Sequence, residues 1–284
     1  MANIIDGKKI SLEIKQQLKE KVASFYEKYN RKIKLAVLLV GENPASKVYV
    51  KNKITAAEFI GIESLAYYLP ENSTESQVKD LVISLANDKS VDGILVQLPL
   101  PSHIDQDSVL NLIPAEKDVD GFLPENLGNL AMGTPSTISC TPFGVIKMLK
   151  HEGITLSGKN AVVVGRSNIV GKPMAMLLLN ENCTVTVCHS KTKNLKEICQ
   201  TADILVAAIG KPKFITADMV KPGAVLIDVG INRTENGLVG DIDFANAKDI
   251  ASYITPVPGG VGPMTIAMLM ENTYNAACRR QNAL

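Results

Sequence analysis

Apolar positions recur at three- and four-residue spacings from Asp6 to about Asn30. There Ile10, Ile14, Leu18, Val22 and Phe25 are separated by Lys, Glu and Gln, a period that predicts an amphipathic helix. The run from Ile33 to Gly41 (IKLAVLLVG) predicts a buried strand. A helical stretch from about Ala45 to Phe59 and a second strand near LAYYLP follow. Thr74 caps a further helix reaching about Asn87, and VDGILVQLPL supplies a third strand. Strands apolar on both faces and alternating with helices predict a mainly parallel sheet covered by helices. From Pro99 to Ser139 the pattern breaks into a passage rich in Pro, Gly and Asn, which marks a hinge between two units. Alternation resumes with the strands AVVVG, TVTVC, ILVAAIG and AVLIDVG, separated by helices beginning near Lys172 and Asn194, as in a nucleotide-binding α/β domain. A last helix runs from about Pro263 to Arg280, and its apolar content predicts packing, which we place back on the first unit.

The 284-residue length suits two domains of about 150 residues each. Hydrophobic residues at 46% and charged residues at 21% exclude a largely disordered or collagen-like chain. The 30 Lys plus Arg nearly cancel the 29 Asp plus Glu, so no overall field draws the protein to nucleic acid or an anionic membrane. No apolar run approaches the roughly 18 residues of a membrane span, and the opening MANIIDGKKI lacks the apolar core of a secretory signal, so a cytoplasmic location is expected. Five cysteines without a CxxC pair and three scattered histidines indicate neither a disulfide framework nor a metal site. The absence of Trp argues against base-stacking platforms.

The segment AVVVGRSNIVGKPMAMLLL predicts strand, tight turn and helix, with Gly165 closing the strand and Gly171 at the helix entrance. A helix start offers backbone N–H groups and partial positive charge to a pyrophosphate. Gly165, Ser167 and Gly171 depart from G-x-G-x-x-G by one extra residue, so a plain packing turn stays open as the alternative. At the end of the next strand Cys188, His189, Ser190 and Lys191 provide donors but no carboxylate, and Arg166 lies in the turn. Donors and positive charge suit a ribose 2′-phosphate, so NADP is favoured over NAD, the alternative being that these residues only face water. Ile231, at the end of AVLIDVGIN, is a candidate neighbour of the nicotinamide.

Tyr49 and Lys53 stand four residues apart and so project from one helix face. A lone lysine there is ordinarily a solvated charge. Gln97 ends an apolar strand, where it either binds a ligand or satisfies loop backbone groups. Asp118 and Asp120 stand beside a turn glycine without the further acids of a calcium loop, and an Asx turn is the plain explanation. In TPVPGGVGPMT the glycines let backbone approach a flat ligand, while Pro263 suits the first helical position.

Together YVKNK (Tyr49 to Lys53), VQLPLP (Val96 to Pro101), KDVDGF (Lys117 to Phe122), GRSNIVGKP (Gly165 to Pro173) and PGGVGPMT (Pro258 to Thr265) are highly specific. In this order they resemble the bifunctional methylenetetrahydrofolate dehydrogenase/methenyltetrahydrofolate cyclohydrolase family over nearly the whole chain. The resemblance implies an α/β fold of two domains: a folate-binding catalytic domain at 1–138, rejoined by helix 266–284, and a Rossmann-like NADP-binding domain at 139–265. It implies a catalytic set of Lys53, Gln97, Tyr49 and Asp120, which also binds folate together with Pro258, Gly259 and Gly260. Gly165, Arg166, Ser167, Ser190 and Ile231 would contact NADP. In these roles Lys53 is the base, Gln97 its partner, Tyr49 the ring stacking on the aminobenzoyl group and Asp120 the pterin anchor. The family also implies tetrahydrofolate derivatives as substrates and a homodimer. The rivals are a monofunctional dehydrogenase, a shikimate-type dehydrogenase of similar architecture and a non-catalytic NADP-binding redox sensor.

Overall fold

The chain begins with strand β1 (Asn3–Ile4) and helix α1 (Gly7–Tyr29), where the Asp6 carboxylate accepts the Lys9 N–H at 2.9 Å. These coordinates are a computed structural model that describes residues 1–235 and 237–282. The first apolar run becomes β2 (Lys34–Val40), buried from Leu35 onward. Helix α2 (Pro44–Ile60) follows for local reasons: Asn43 accepts the N–H groups of Ala45 and Ser46, Pro44 opens the first turn, and Gly61 at φ 89° ends the last one. Next come β3 (Glu63–Leu69), α3 (Glu75–Asn87), begun by a Thr74/Gln77 capping box, and β4 (Gly93–Val96). The parallel order is β3-β2-β4. Ala36, Leu38 and Val40 pack with Val78, Val82 and Leu85 of α3, each such side chain contributing about 1.5–3 kcal/mol where fully buried. The Pro- and Gly-rich passage holds short helices α4 (Gln106–Leu110) and α5 (Pro124–Ala131).

The second run of elements is α6 (Cys140–His151), β5 (Asn160–Val164), α7 (Gly171–Asn180), β6 (Thr184–Cys188), α8 (Leu195–Cys199) and β7 (Ile204–Ala207). Then follow β8 (Val225–Asp228), an antiparallel ribbon of β9 (Asn232–Thr234) and β10 (Gly237–Val239), α9 (Phe244–Ala247), β11 (Tyr253–Ile254) and α10 (Val261–Asn282). A six-stranded parallel sheet takes the order β1-β11-β8-β7-β5-β6. Strand order reverses between β5 and β7, the place where doubly wound sheets open a crevice at their carboxyl edge. Helix α6 breaks the expected pattern with Pro142 and Gly144. Proline is tolerated in a first turn, and at Gly144 a Cβ would come within 2.9 Å of Met264 Cβ in α10, so close helix packing requires the glycine.

The chain divides into a six-stranded unit (Met1–Leu12, Ser139–Thr265) and a three-stranded unit (Glu13–Ile138, Ile266–Leu284). At the start of the chain this grouping differs from the expected domain at 1–138. Met1–Leu12 groups with the six-stranded unit because β1 pairs with β11, Asn3 opposite Tyr253 and Ile4 opposite Ile254. Within the three-stranded unit α10 packs on α1, with the Phe25 and Tyr274 rings 6.5 Å apart, and Arg280 reaches the buried Asp92 carboxylate at 3.2 Å. Among the described residues no helix is long and apolar enough to cross a membrane.

Candidate active site

On α2 the buried positions are Ser46, Val50, Lys53, Ala56, Ala57 and Ile60, so Lys53 occupies the face that packs inward. It is only 9% exposed, and its Nζ donates to Gln97 Oε1 at 3.0 Å. One turn earlier on the helix, Tyr49 is 39% exposed, so its ring is open to contact. Lys47 and Lys51 are exposed, so the helical period separates the inward lysine from its neighbours. Gln97 continues the β4 ladder, donating its backbone N–H to Leu38 O at 2.8 Å, while its Nε2 donates to Leu98 O at 2.7 Å. With the amide N–H so engaged, its oxygen faces the lysine.

Asp120 arrives beside them because the KDVDGF segment runs along β4. Ile94 donates its N–H to Lys117 O at 2.8 Å, Ile94 and Asp118 form a parallel bridge, and Val119 fills the space over Gly93, where a Cβ would meet it at 2.5 Å. The two acids then part. Asp118 is buried and accepts the N–H groups of Gly121 and Leu123, each at 3.0 Å, and the Asn126 amide at 2.8 Å; it is the residue that builds the turn. Asp120 is partly buried, and burial pushes its carboxyl up to about 6, with the Asp118 charge adding to the shift and the Lys53 ammonium opposing it. Lys117 is a structural cation: its Nζ donates to Leu85 O, Ala86 O and Asp88 O, closing the end of α3. The sequence reading did not single it out, and its only signal was a lysine inside a motif whose other charges are acidic.

In the six-stranded unit the turn after β5 is built for close approach. Gly165 has φ 137°, and a Cβ there would collide with Ala208 O at the end of β7; one at Gly171 would collide with Gly165 O. Ser167 Oγ accepts the N–H groups of Val170 at 3.2 Å and Gly171 at 3.3 Å, and its hydroxyl proton remains a donor. Arg166, Ser167 and Ser190 are exposed at this carboxyl edge, and Ile231 presents an apolar side chain there with 44% exposure. The cradle without side chains, the adjoining donors and the guanidinium fit a dinucleotide phosphate. Pro258, Gly259 and Gly260 lie in the loop between β11 and α10 of this same unit, so they are not on the unit of Lys53. The Gly7 backbone stands against Gly260 O, and Lys8 donates its N–H to Gly259 O at 2.9 Å.

A doubly wound unit with a glycine turn at its strand-order reversal, joined to a unit carrying an inward Lys–Gln pair and a carboxyl raised by burial, defines an NAD(P)-binding enzyme of the two-domain α/β class. The chain belongs to the tetrahydrofolate dehydrogenase/cyclohydrolase family: the model of that family's catalytic domain matches residues 5–120, and the model of its NAD(P)-binding domain matches residues 139–281. The bifunctional protein FolD of Agathobacter rectalis is 58% identical over 280 residues, 98% of this chain and 100% of the relative. The crystal structure of the bifunctional methylenetetrahydrofolate dehydrogenase/cyclohydrolase FolD from Campylobacter jejuni superposes with a TM-score of 0.95 at 51% identity, over 100% of both chains. That of the Trypanosoma brucei enzyme, complexed with NADP cofactor and inhibitor, gives 0.94 at 39% identity over 98% of both.

Proposed function

We propose that this chain oxidises 5,10-methylenetetrahydrofolate with NADP and hydrolyses the 5,10-methenyl product to 10-formyltetrahydrofolate, and that Lys53, Gln97, Tyr49 and Asp120 form the folate site. The observation that carries the reading is the Lys53–Gln97 hydrogen bond on the inward face of α2, with the Asp120 carboxyl in electrostatic contact.

The reacting carbon of the substrate lies between two nitrogens whose lone pairs expel hydride and share the resulting cation. NADP, when bound, supplies the hydride acceptor. The oxidation therefore needs no strong protein base, and the chain's work is to position the folate. Asp120 accepts paired N–H bonds from the amino-pyrimidinone edge of the pterin, and Tyr49 stacks on the aminobenzoyl ring. Hydrolysis needs more. As water attacks the methenyl carbon, Lys53 takes one of its protons; Lys53 returns that proton to N5 as the carbon–N5 bond breaks, and the hydroxyl proton of the adduct leaves to solvent, so that the formyl group stays on N10. Gln97 Oε1 holds the Lys53 nitrogen in line through their 3.0 Å hydrogen bond. In the other unit Gly165, Arg166, Ser167 and Ser190 would hold the cofactor phosphates, Ile231 would border the nicotinamide, and Pro258–Gly260 would offer backbone to a flat ligand at this edge.

The family membership does not favour the monofunctional alternative and leaves no role for a shikimate-type reaction. The protein works in the cytoplasm, as a homodimer, on tetrahydrofolate derivatives and not on nucleic acid; sedimentation tests the assembly. One reaction tests the whole reading: methylenetetrahydrofolate and NADP are supplied, and NADPH, methenyl and formyl products are followed. All three are expected. NADPH without enzymatic formyl production would mark a dehydrogenase alone, and no NADPH a binding protein.

A further inference from the structure

Two buried carboxylates outside the folate set tie together the loops at the carboxyl edge of the six-stranded sheet. Asp241, fully buried, accepts three consecutive backbone N–H groups in the loop after β7: Ile209 at 2.6 Å, Gly210 at 2.9 Å and Lys211 at 2.8 Å. It also accepts the Asn232 amide at 2.9 Å, just beyond β8. Asp228, the last residue of β8, accepts the N–H groups of Gly230 at 3.0 Å and of Asp241 and Ile242 at 2.8 Å each. The fit is tight: a Cβ at Gly230 would collide with the Asp241 carboxylate, and one at Gly240 with that of Asp228. Ile231 thus has both neighbours held, Gly230 through its N–H and Asn232 through its side chain, while its own side chain projects from the edge.

We infer that Asp241, braced by Asp228, is a positioning residue for the dehydrogenase step: it holds the Ile209–Lys211 loop and the Gly230–Asn232 segment in the register that places Ile231 at the cofactor edge. The inference rests on the proposal that this edge binds NADP. A carboxylate alone satisfies four converging donors. An amide in its place offers one acceptor oxygen and turns its own N–H groups against the loop, so buried backbone donors lose their partner. Loop displacement on the order of 1 Å reduces a transfer reaction roughly hundredfold. Hydrolysis of methenyltetrahydrofolate supplied directly uses none of these groups.

The test measures Asp241→Asn and Asn232→Ala for NADP-dependent oxidation, for hydrolysis without NADP, for NADPH binding by fluorescence and for thermal unfolding. Unmodified protein is assayed first, and if it fails to oxidise the folate the proposed function is wrong, whatever the variants do. For Asp241→Asn the expected result is a KM for NADP raised about tenfold, kcat/KM for oxidation lowered roughly hundredfold, and hydrolysis within about twofold of the unmodified protein. A folded variant with both oxidation parameters unchanged overturns the inference, as does a parallel loss of both activities in proportion to the unfolded fraction. Should Asp241→Asn not fold, Asn232→Ala decides. It is expected to raise the KM for NADP about threefold with hydrolysis retained, and an unchanged KM overturns the inference.

Discussion

Lys53 Nζ and Gln97 Oε1 meet at 3.0 Å across a sequence separation of 44 residues, one on a helix and the other at the end of a strand of the same parallel sheet unit. An ammonium or amine buried on a packing face is costly without a partner, and the glutamine amide, itself fixed by its bond to Leu98 O, supplies that partner. The pair sets the direction in which the lysine nitrogen can exchange a proton.

Asp120→Asn is expected to weaken folate binding about tenfold to a hundredfold, because the amide keeps one acceptor but loses the charge that faces the pterin N–H groups. The pH dependence follows from the carboxyl pushed up to about 6. In the free protein the ionised form that binds the pterin is lost as pH falls through about 6, so folate affinity declines there and is flat well above it. Stability runs the other way. A carboxyl whose folded value is raised above its ordinary 3.8 favours the folded state below that value, and the contribution is lost as pH rises through about 6. Asp120→Asn therefore leaves Tm equal or higher at pH 8 while folate affinity drops. Calorimetry and folate titration on one sample check both; a lower Tm with unchanged affinity contradicts the assignment.

Gly165→Ala is expected to cost about 2–5 kcal/mol of stability in denaturant unfolding, since φ 137° is strained for any side chain and the added methyl meets the backbone of Ala208. NADP binding is lost with it. An alanine variant of unchanged stability means the turn is roomier than its contacts indicate.

Arg166→Ala and Ser190→Ala are each expected to reduce kcat/KM with NADP about tenfold and to leave kcat/KM with NAD nearly unaltered, because in the proposed site each removes a donor to a phosphate that NAD lacks. Steady-state kinetics with both cofactors decides. Equal losses with NADP and NAD place these residues on the shared part of the dinucleotide.

Lys117→Met is expected to lower stability by about 1–3 kcal/mol and leave both activities of the folded protein unchanged, since three carbonyls at the end of α3 lose their common donor. Here burial first, and the Arg280 charge second, hold the lysine below its ordinary value. A loss of turnover without a loss of stability assigns Lys117 to the chemistry instead.

The long elements were legible because their burial is one-sided or nearly complete: the stripe from Ile10 to Phe25 became α1, and IKLAVLLVG, apolar but for Lys34 at its start, became β2. Helix α6 was not: it holds Pro142 in its first turn and Gly144, whose place is explained only by Met264 packed against it. Nor was the pairing of β1 with β11, two strands of two residues whose partnership is a backbone matter with no side-chain period. At the site, Lys53 could be told from Lys47 and Lys51 by its helical spacing from Tyr49. The separate tasks of Asp118 and Asp120 could not be read from DVDG, because only the path of that segment along β4 turns one acid inward to the turn and the other toward Lys53. Asp228 and Asp241 likewise read as scattered acids until the sheet brings their loops together.

The most direct measurement is of Lys53→Met, given methylenetetrahydrofolate and NADP in a single reaction with NADPH, methenyl and formyl products followed together. The expected result is folded protein that binds folate, forms some NADPH and accumulates the methenyl cation, with enzymatic hydrolysis reduced at least a hundredfold. Hydrolysis at an undiminished rate would contradict the role given to this amine.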